Sequence, residues 1–477
     1  MAQNIAPIAA QTLSAKLRAV RSQFLHAVEK GDAKQWTVVM GNESGDLDTI
    51  ASSLALWWFR RDVLNNEKTV PLIQTPRGEM KLRPENEHAL SLVSLDAAHE
   101  DLLCIDDLQP SKPFPANKFV LVDHNRLLSR FSDGNPETSV VAIVDHHEDE
   151  QLHLEANPRI IRTPVGSASS LVIEYIKDNL PSRIAVPPDI SSLLLSAILI
   201  DTGGLKPGGK AEDVDRASAA SLLPISLLAQ SVNFVTPGPD SGVRTMSPDA
   251  LHEHPVVQSL FEDLMERKSN VLHLDATDLL KRDYKQYEWN FRHVDERTRR
   301  VTVGLSTVPL NLQSWLPRSG SSTFFDMVLD YMEGRGLDIF GILTSFHKGK
   351  SSKHHDGDVH EKKDTGKHKR QLMLIFRSSE DHSTQTPELV QHVLSSLMTI
   401  DAAKILELEE VKAMKYFEES DSSPTQWSPG SSKSAVVITN GKRMDVYRFK
   451  QKNAKATRKI IAPLLKEIIE GQGISML

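Results

Sequence analysis

The sequence predicts an α/β fold class: an N-terminal domain on a parallel sheet, followed by a C-terminal α+β domain. Three observations predict it. Between residues 34 and 205, short apolar runs alternate with helix-like segments, the rhythm of strand–helix–strand units. Four apolar segments in that stretch run straight into polar words rich in Asp and His. Beyond about residue 255 strand-like runs come with fewer helices between them.

Taken in order, Leu13, Leu17, Val20, Phe24 and Val28 keep helical spacing. Residues 1–28 carry Lys16, Arg18 and Arg21 and no acid. Those cations fit a surface helix, the reading that the spacing favours, and they also fit a mitochondrial transit sequence. The expected compartment is the cytoplasm, with the mitochondrial matrix as the alternative. Trp36-Thr37-Val38-Val39-Met40 reads as a strand leading into Gly41-Asn42-Glu43-Ser44-Gly45-Asp46-Leu47-Asp48, and Ile50 to Phe59 as a helix against the sheet. Leu102 to Ile105 is a short strand ending in Asp106-Asp107. Phe119 to Val122 leads into Asp123-His124-Asn125, and Val140 to Val144 into Asp145-His146-His147. The group Val165-Gly166-Ser167-Ala168-Ser169-Ser170 reads as a helix N-terminus. Leu193 to Ile200, which runs into Asp201, fits helix or strand; its Leu and Ala content favours helix.

The expected domains are residues 1–234, a linker at 235–254 around Thr236-Pro237-Gly238-Pro239, and a second domain at 255–477. In the second domain, strands are expected at 301–306, 338–343, 371–376, 435–439 and 444–449. A Lys-, His- and Asp-rich insertion at about 347–371 lacks a hydrophobic pattern and is expected to be disordered. No internal repeat is evident.

Composition narrows the class. At 477 residues, 39% hydrophobic and 25% charged, the chain reads as an ordinary protein of about two or three domains. Its one cysteine, Cys104, excludes an intramolecular disulfide framework, and its apolar setting argues for a buried thiol over a nucleophile. No apolar run reaches the length of a membrane span. A net charge of −7 gives no global attraction for polyanions, so an anionic substrate needs local cations.

Ligands of an open α/β sheet gather beyond the carboxyl ends of its strands. The acidic words would therefore converge on one crevice. Asp46, Asp48, Asp123, His146 and Asp201 supply the carboxylates and imidazole that a pair of divalent cations needs, and this hard-to-borderline set suits Mg²⁺, Mn²⁺ or Co²⁺. Two such cations clamp a phosphoryl group and lower the pKa of a water that attacks it. His147 is placed to hydrogen-bond the phosphate or the leaving oxygen. One Asp-His pair at a strand end is usually a cap or loop residue; four such words together favour a metal-dependent hydrolase. Glu43, Asp106 and Asp107 fit an outer ring of the site or plain surface.

These words resemble the four signatures of the DHH phosphoesterase superfamily: Gly41 to Thr49, Asp123-His124-Asn125, Asp145-His146-His147 and Ile200-Asp201-Thr202, in family order. The later half resembles the DHH-associated domain of family II pyrophosphatases, fungal exopolyphosphatases and prune-type proteins. Arg282-Asp283-Tyr284-Lys285 and Ala456-Thr457-Arg458-Lys459 carry that likeness, with Thr457 where the family has Ser. The resemblance implies an active site in the cleft between the two domains. It implies one metal on Asp46 and Asp123, and a second on Asp48, Asp123, His146 and Asp201, with Asp123 bridging. It also implies that His147, Lys285, Arg458 and Lys459 contact substrate phosphates. Pyrophosphatases of the family carry His where this chain has Asn42, a weaker ligand that the exopolyphosphatase and prune types share. Gly204 stands where relatives often have Asn.

The function expected is an exopolyphosphatase that removes terminal orthophosphate from linear inorganic polyphosphate. Lys206, Lys210, Arg377 and Lys452 are candidates for a basic channel. Alternatives within the class are a prune-type hydrolase of short polyphosphates or nucleotides and an inorganic pyrophosphatase. The alternative from another class is a non-catalytic interaction protein on a DHH fold; an intact ligand set speaks against it. Nucleic acid is not an expected partner, because neither a Gly-rich word near the end nor aromatics interleaved on a basic strip are present. The expected state is a monomer with no membrane partner.

Overall fold

The computed structural model describes residues 11–108, 113–231, 247–292, 297–315, 324–348, 367–378, 385–411, 426–429, 435–439 and 441–471. The chain divides into two compact units, Met1–Asn270 and Val271–Leu477.

The first unit is built on six parallel strands: β1 (Thr37–Met40), β2 (Thr69–Ile73), β3 (Leu103–Cys104), β4 (Lys118–Val122), β5 (Ser139–Asp145) and β6 (Arg159–Ile161). Their order is β3-β2-β1-β4-β5-β6. Val38, Val39 and Met40 of β1, and Phe119 to Val122 of β4, are fully or almost fully buried, as the inner strands of a sheet covered on both faces must be. The order reverses direction between β1 and β4, so a crevice opens beyond their carboxyl ends. The loops that leave those ends begin at Gly41 and Asp123.

Seven helices matter here: α1 (Leu13–Glu29), α2 (Leu47–Trp58), α3 (Pro84–Leu92), α4 (Ala168–Asn179), α5 (Pro188–Thr202), α6 (Asp213–Leu222) and α7 (Pro255–Ser269). Every residue of α2 is buried, which is why its apolar stretch shows no polar face. The ambiguous run before Asp201 is helix α5, closed by Gly203 in the left-handed conformation at φ 71°. Helix α1 buries Leu13, Leu17, Val20 and Phe24. Its three cations each reach a carboxylate: Lys16 to Asp62 at 2.6 Å, Arg18 to Asp96 at 2.7 Å and Arg21 to Asp107 at 3.1 Å.

Three expectations about organisation change. The second domain was expected from residue 255, yet α7 buries Val257, Leu260 and Leu264 in the first unit's core, which moves the division to residue 270. Of the expected linker at 235–254, residues 235–246 lie outside the described residues. Pro248–Glu253 forms a 3-10 helix with Leu251 buried in that same core. Strand β2 escaped the sequence reading because Pro71 interrupts its apolar run. The sheet tolerates Pro71 because β3 pairs only with Leu72 and Ile73.

The second unit holds a mixed sheet. Its strands are β7 (Tyr284–Arg292), β8 (Thr298–Val308), β9 (Ile339–Lys348), β10 (Lys367–Arg377), β11 (Leu408–Glu410), β12 (Gln426–Pro429), β13 (Ala435–Thr439) and β14 (Lys442–Gln451). The order is β12-β13-β14-β10-β9-β8-β7, with β11 against β14. Strands β8 and β9 pair parallel and the other pairs are antiparallel. Helix α8 (Arg458–Glu470) packs into its core through Ile461, Leu464, Leu465, Ile468 and Ile469. The insertion expected at 347–371 is narrower: β9 continues to Lys348 and β10 starts at Lys367, paired with it, and residues 349–366 lie outside the described residues. Among the described residues, no helix is long and apolar enough to cross a membrane.

Candidate metal centre

Asp123 sits at the carboxyl end of β4 with φ 59°, a left-handed conformation uncommon for any residue but Gly, Asn or Asp. Its backbone N–H donates to Val144 O of the neighbouring strand at 3.0 Å. Such strain persists only where the surroundings over-determine it, and it clusters at functional sites. The surroundings do so here. Oδ2 of Asp123 accepts hydrogen bonds from Asn42 Nδ2 at 2.7 Å and Thr49 Oγ1 at 2.8 Å. Oδ1 lies 3.3 Å from His146 Nε2 and 3.5 Å from His147 Nδ1. Ligand atoms of Asp123, His146 and His147 all lie within 4.8 Å of one another.

The other carboxylates enter from α2 and α5. Asp46 is the N-cap of α2; its Oδ1 accepts from Thr49 N at 3.0 Å and its Oδ2 from Ser44 Oγ at 3.1 Å. Asp48, in the first turn, is fully buried. Its Oδ1 accepts from Ser167 Oγ, Ser169 N and Ser169 Oγ at 2.8, 2.8 and 2.6 Å, and its Oδ2 from Ala168 N at 2.7 Å. Asp201 is in the last turn of α5. Burial, then the charges of Asp201, Asp123 and Asp46, push the Asp48 carboxyl up to about 8, against a downward pull from His146. Burial, then Asp46, raises Asp201 as well, opposed by Lys268 of α7 and by His146. All five predicted ligands therefore share one electrostatic neighbourhood, brought together from four separate segments.

That neighbourhood fits divalent cations. Of the four carboxylates Asp48 and Asp123 are buried, and burial together with the neighbouring negative charges disfavours the ionised forms of Asp48 and Asp201. Oxygen donors with one or two imidazoles suit Mg²⁺ and Mn²⁺.

Asn42 behaves differently from the weak ligand the sequence suggested. Its Nδ2 donates to both the backbone O (2.9 Å) and Oδ2 of Asp123, while its Oδ1 accepts from Ser44 N at 2.9 Å. The amide turns a donor, which has no lone pair, toward Asp123 and so holds that carboxylate in place.

Asp145 has a part that the sequence reading did not assign. Its Oδ1 accepts from His146 N (2.8 Å), His147 N (3.2 Å) and His147 Nδ1 (2.8 Å), and its Oδ2 from Asn125 Nδ2 at 2.6 Å. Burial works to raise it, but the charge and hydrogen bond of His147 override that and hold it below the ordinary carboxylate range. Asn125 is fixed in turn by donating to Glu148 O and accepting from Glu150 N. The result is an orienting chain, Asn125 to Asp145 to His147, that commits Nδ1 of His147. The two-residue spacing inside each word was its only trace in the sequence.

The 41–48 turn is braced from outside. Gln74 donates to Gly41 O, Arg83 to Ser44 O at 3.0 Å and Asn86 to Gly45 O at 2.7 Å. Gly45, at φ 59°, admits no side chain, since a Cβ would lie 1.9 Å from Thr75 Oγ1. Gly204 also has positive φ, 73°, a conformation Gly and Asn both adopt, which accounts for the residue type. A Cβ there would come within 2.9 Å of the Phe261 ring of α7.

In the second unit, Lys285 lies on β7 and Lys459 is exposed at the start of α8. Arg458 donates to Asp283 O and to Asp283 Oδ1, both at 2.7 Å, so the two words read as phosphate-gripping signatures meet. Of the channel candidates, Lys206 stands 5.3 Å over the Phe261 ring, Arg377 donates to Leu337 O and Lys452 lies 3.7 Å from Glu409. Lys210 passes its backbone O within 3.0 Å of where a Gly166 Cβ would be.

The model of the DHH family N-terminal domain matches residues 36–198, and that of the DHHA2 domain matches residues 262–468. A Schizosaccharomyces pombe protein named for exopolyphosphatase activity is 33% identical over 278 residues, covering 56% of this chain and 64% of that protein. A Streptococcus equi subsp. zooepidemicus protein named for manganese-dependent inorganic pyrophosphatase activity is 34% identical over 170 residues, covering 35% of this chain and 49% of the other. The matched region thus spans 64% and 49% of the length of these relatives. A crystal structure of an exopolyphosphatase-related protein from Bacteroides fragilis aligns over 95% of this chain and 96% of its own, with TM-score 0.33 and 13% identity. With a DHH N-terminal domain followed by a DHHA2 domain, and with the acidic words of the first gathered at the switch point of its sheet, the chain belongs to the DHH family and is related to its family II pyrophosphatases.

Proposed function

We propose that the chain is a metal-dependent exopolyphosphatase that hydrolyses the terminal phosphoanhydride bond of linear inorganic polyphosphate. One observation supports the reading: Asp123 lies against His146 and His147, and the charges of Asp46, Asp48, Asp123 and Asp201 act on one another, an excess of negative charge that calls for cations. Asp46 and Asp123 would hold one cation, and Asp48, Asp123, His146 and Asp201 the other. When bound, divalent cations supply Lewis-acid charge to the phosphoryl oxygens and acidify the attacking water.

The protein's own groups do the rest. Asn42 and Thr49 fix Asp123 Oδ2, so Oδ1 keeps a single direction toward the two imidazoles. Asp145 orients His147, which as an imidazolium would donate a hydrogen bond to a phosphate oxygen as charge moves to the leaving group. In the second unit the family resemblance proposes Lys285, Arg458 and Lys459 as contacts for substrate phosphates, the lysines as mobile point charges. Support for the substrate comes from the Schizosaccharomyces pombe relative and from Asn42, which resembles the exopolyphosphatase branch.

The streptococcal relative makes pyrophosphate the specific rival substrate. Orthophosphate release from pyrophosphate, tripolyphosphate and long-chain polyphosphate, each with Mg²⁺, Mn²⁺ and Co²⁺, separates them. A kcat/KM highest on long chains is the expected result. A kcat/KM highest on pyrophosphate would replace the reading with a pyrophosphatase, and no release from any of the three would remove both.

A further inference from the structure

Asp48 does not stand alone on the N-terminus of α4. Four successive backbone N–H groups there are shared between two buried carboxylates. Gly166 N and Ser167 N donate to Asp215 at 2.9 and 3.3 Å, and Ala168 N and Ser169 N donate to Asp48 at 2.7 and 2.8 Å. Asp215, in the first turn of α6, is as deeply buried as Asp48. It also accepts from Ser170 Oγ at 2.6 Å and from Glu212 N at 2.8 Å. The turn between the two carboxylates has no slack. A Cβ on Gly166 would fall 2.7 Å from Asp215 Oδ2 and 2.6 Å from Thr202 Cγ2, and Thr202 directly follows Asp201.

We infer that Asp215 is a positioning residue for the metal centre: by gripping the 166–170 turn it sets where Asp48 stands. Each Asp48 oxygen is held by donors of that turn, with three on Oδ1 and one on Oδ2. A shift of the turn therefore moves Asp48 with it, and Oδ2, the less engaged oxygen, is the one with lone-pair capacity left for a cation. Groups that orient ligands from behind typically change metal affinity by about 10–100-fold when altered. An asparagine at 215 would place an NH₂ against either the Gly166 and Glu212 N–H groups or the Ser167 N–H and Ser170 hydroxyl. In either orientation the NH₂ would meet at least one backbone N–H, donor against donor, and the turn would shift.

The inference rests on Asp48 being a metal ligand, and the test separates the two. Mn²⁺ affinity of the full chain is measured by calorimetric titration for wild type, Asp48→Asn, Asp215→Asn, Ser170→Ala and the double variant Asp48→Asn/Asp215→Asn, well below each apo melting temperature. Asp215→Asn is expected to weaken Mn²⁺ binding by about 10–100-fold. Ser170→Ala, which removes one hydroxyl and keeps the carboxylate, should weaken it by about fivefold; it carries the test should Asp215→Asn fail to fold. The double variant should bind no more weakly than Asp48→Asn, because both changes act through one carboxylate. If Asp215→Asn and Ser170→Ala bind as wild type does, with only the melting temperature lowered, Asp215 is a helix cap and the inference fails. Additive losses in the double variant overturn it too. Wild-type affinity in Asp48→Asn, or no Mn²⁺ binding by wild type, overturns the metal-centre reading itself.

Discussion

Asp123 is the residue on which the centre turns, and its left-handed backbone shows how firmly it is held. Asn42 is one of the holders. Replacing Asn42 by His would exchange an amide donor for an imidazole lone pair at a position facing Asp123 Oδ2. Asn42→His is expected to tighten Mn²⁺ binding by about tenfold, as read by titration; unchanged or weaker binding would mean that the position faces no cation. Protonation gives a second residue-level prediction. The Asp48 carboxyl is raised from 3.8 to about 8 in the folded protein. Between those values the folded state keeps a proton that the unfolded chain has lost, so the metal-free protein loses stability as pH rises from about 4 to about 8. Thermal melts in a chelator should show that decline, and saturating Mn²⁺ should abolish it. A flat or rising profile without metal would contradict the buried carboxylate cluster. The candidate ligand residues stand out in the sequence because each lies in a polar word that follows an apolar run. Their holders were not. Thr49 meets Asp123 across 74 residues, and Ser167 and Ser169 meet Asp48 across 119 and 121. Ordinary hydroxyls carry no sign of partners so distant.

At the scale of elements, strands showed wherever an apolar run was intact, and the helix-or-strand question at 193–200 yielded to Leu and Ala content. Pro71 concealed β2. Strand β7 has no intact apolar run; its signal is the alternation of Tyr287, Trp289 and Phe291 with polar residues. The domain boundary was misplaced for a packing reason: α7 has the polar surface of a connecting helix, yet it seats Phe261 against Gly204 beside Asp201. That contact predicts a coupled pair. Gly204→Ala should destabilise the protein by roughly 1–3 kcal/mol through overpacking and the positive φ. Adding Phe261→Ala should recover part of that loss in a denaturant double-mutant cycle. Independent effects would mean that α7 does not press on the Asp201 loop. Helix α1 offers a different lesson. Its cations fit a surface helix and a targeting segment alike by composition, and in the fold each one reaches a carboxylate of the same unit.

For the whole molecule, a net charge of −7 sits uneasily with the proposed anionic substrate, and bound cations would reconcile the two. Removing them should leave Asp46, Asp48, Asp123 and Asp201 facing one another uncompensated. Chelation is therefore expected to lower the melting temperature, and Mn²⁺ to restore it in a concentration-dependent way; indifference to chelation would speak against a structural stake in the metal. The most direct measurement is Mn²⁺-dependent orthophosphate release from polyphosphate by wild type and by Asp123→Ala, with both proteins shown to be folded. The proposed bridging role of Asp123 predicts that wild type releases phosphate and that the variant loses more than about 100-fold of that rate. Equal release by the two proteins would mean that the catalytic centre lies elsewhere.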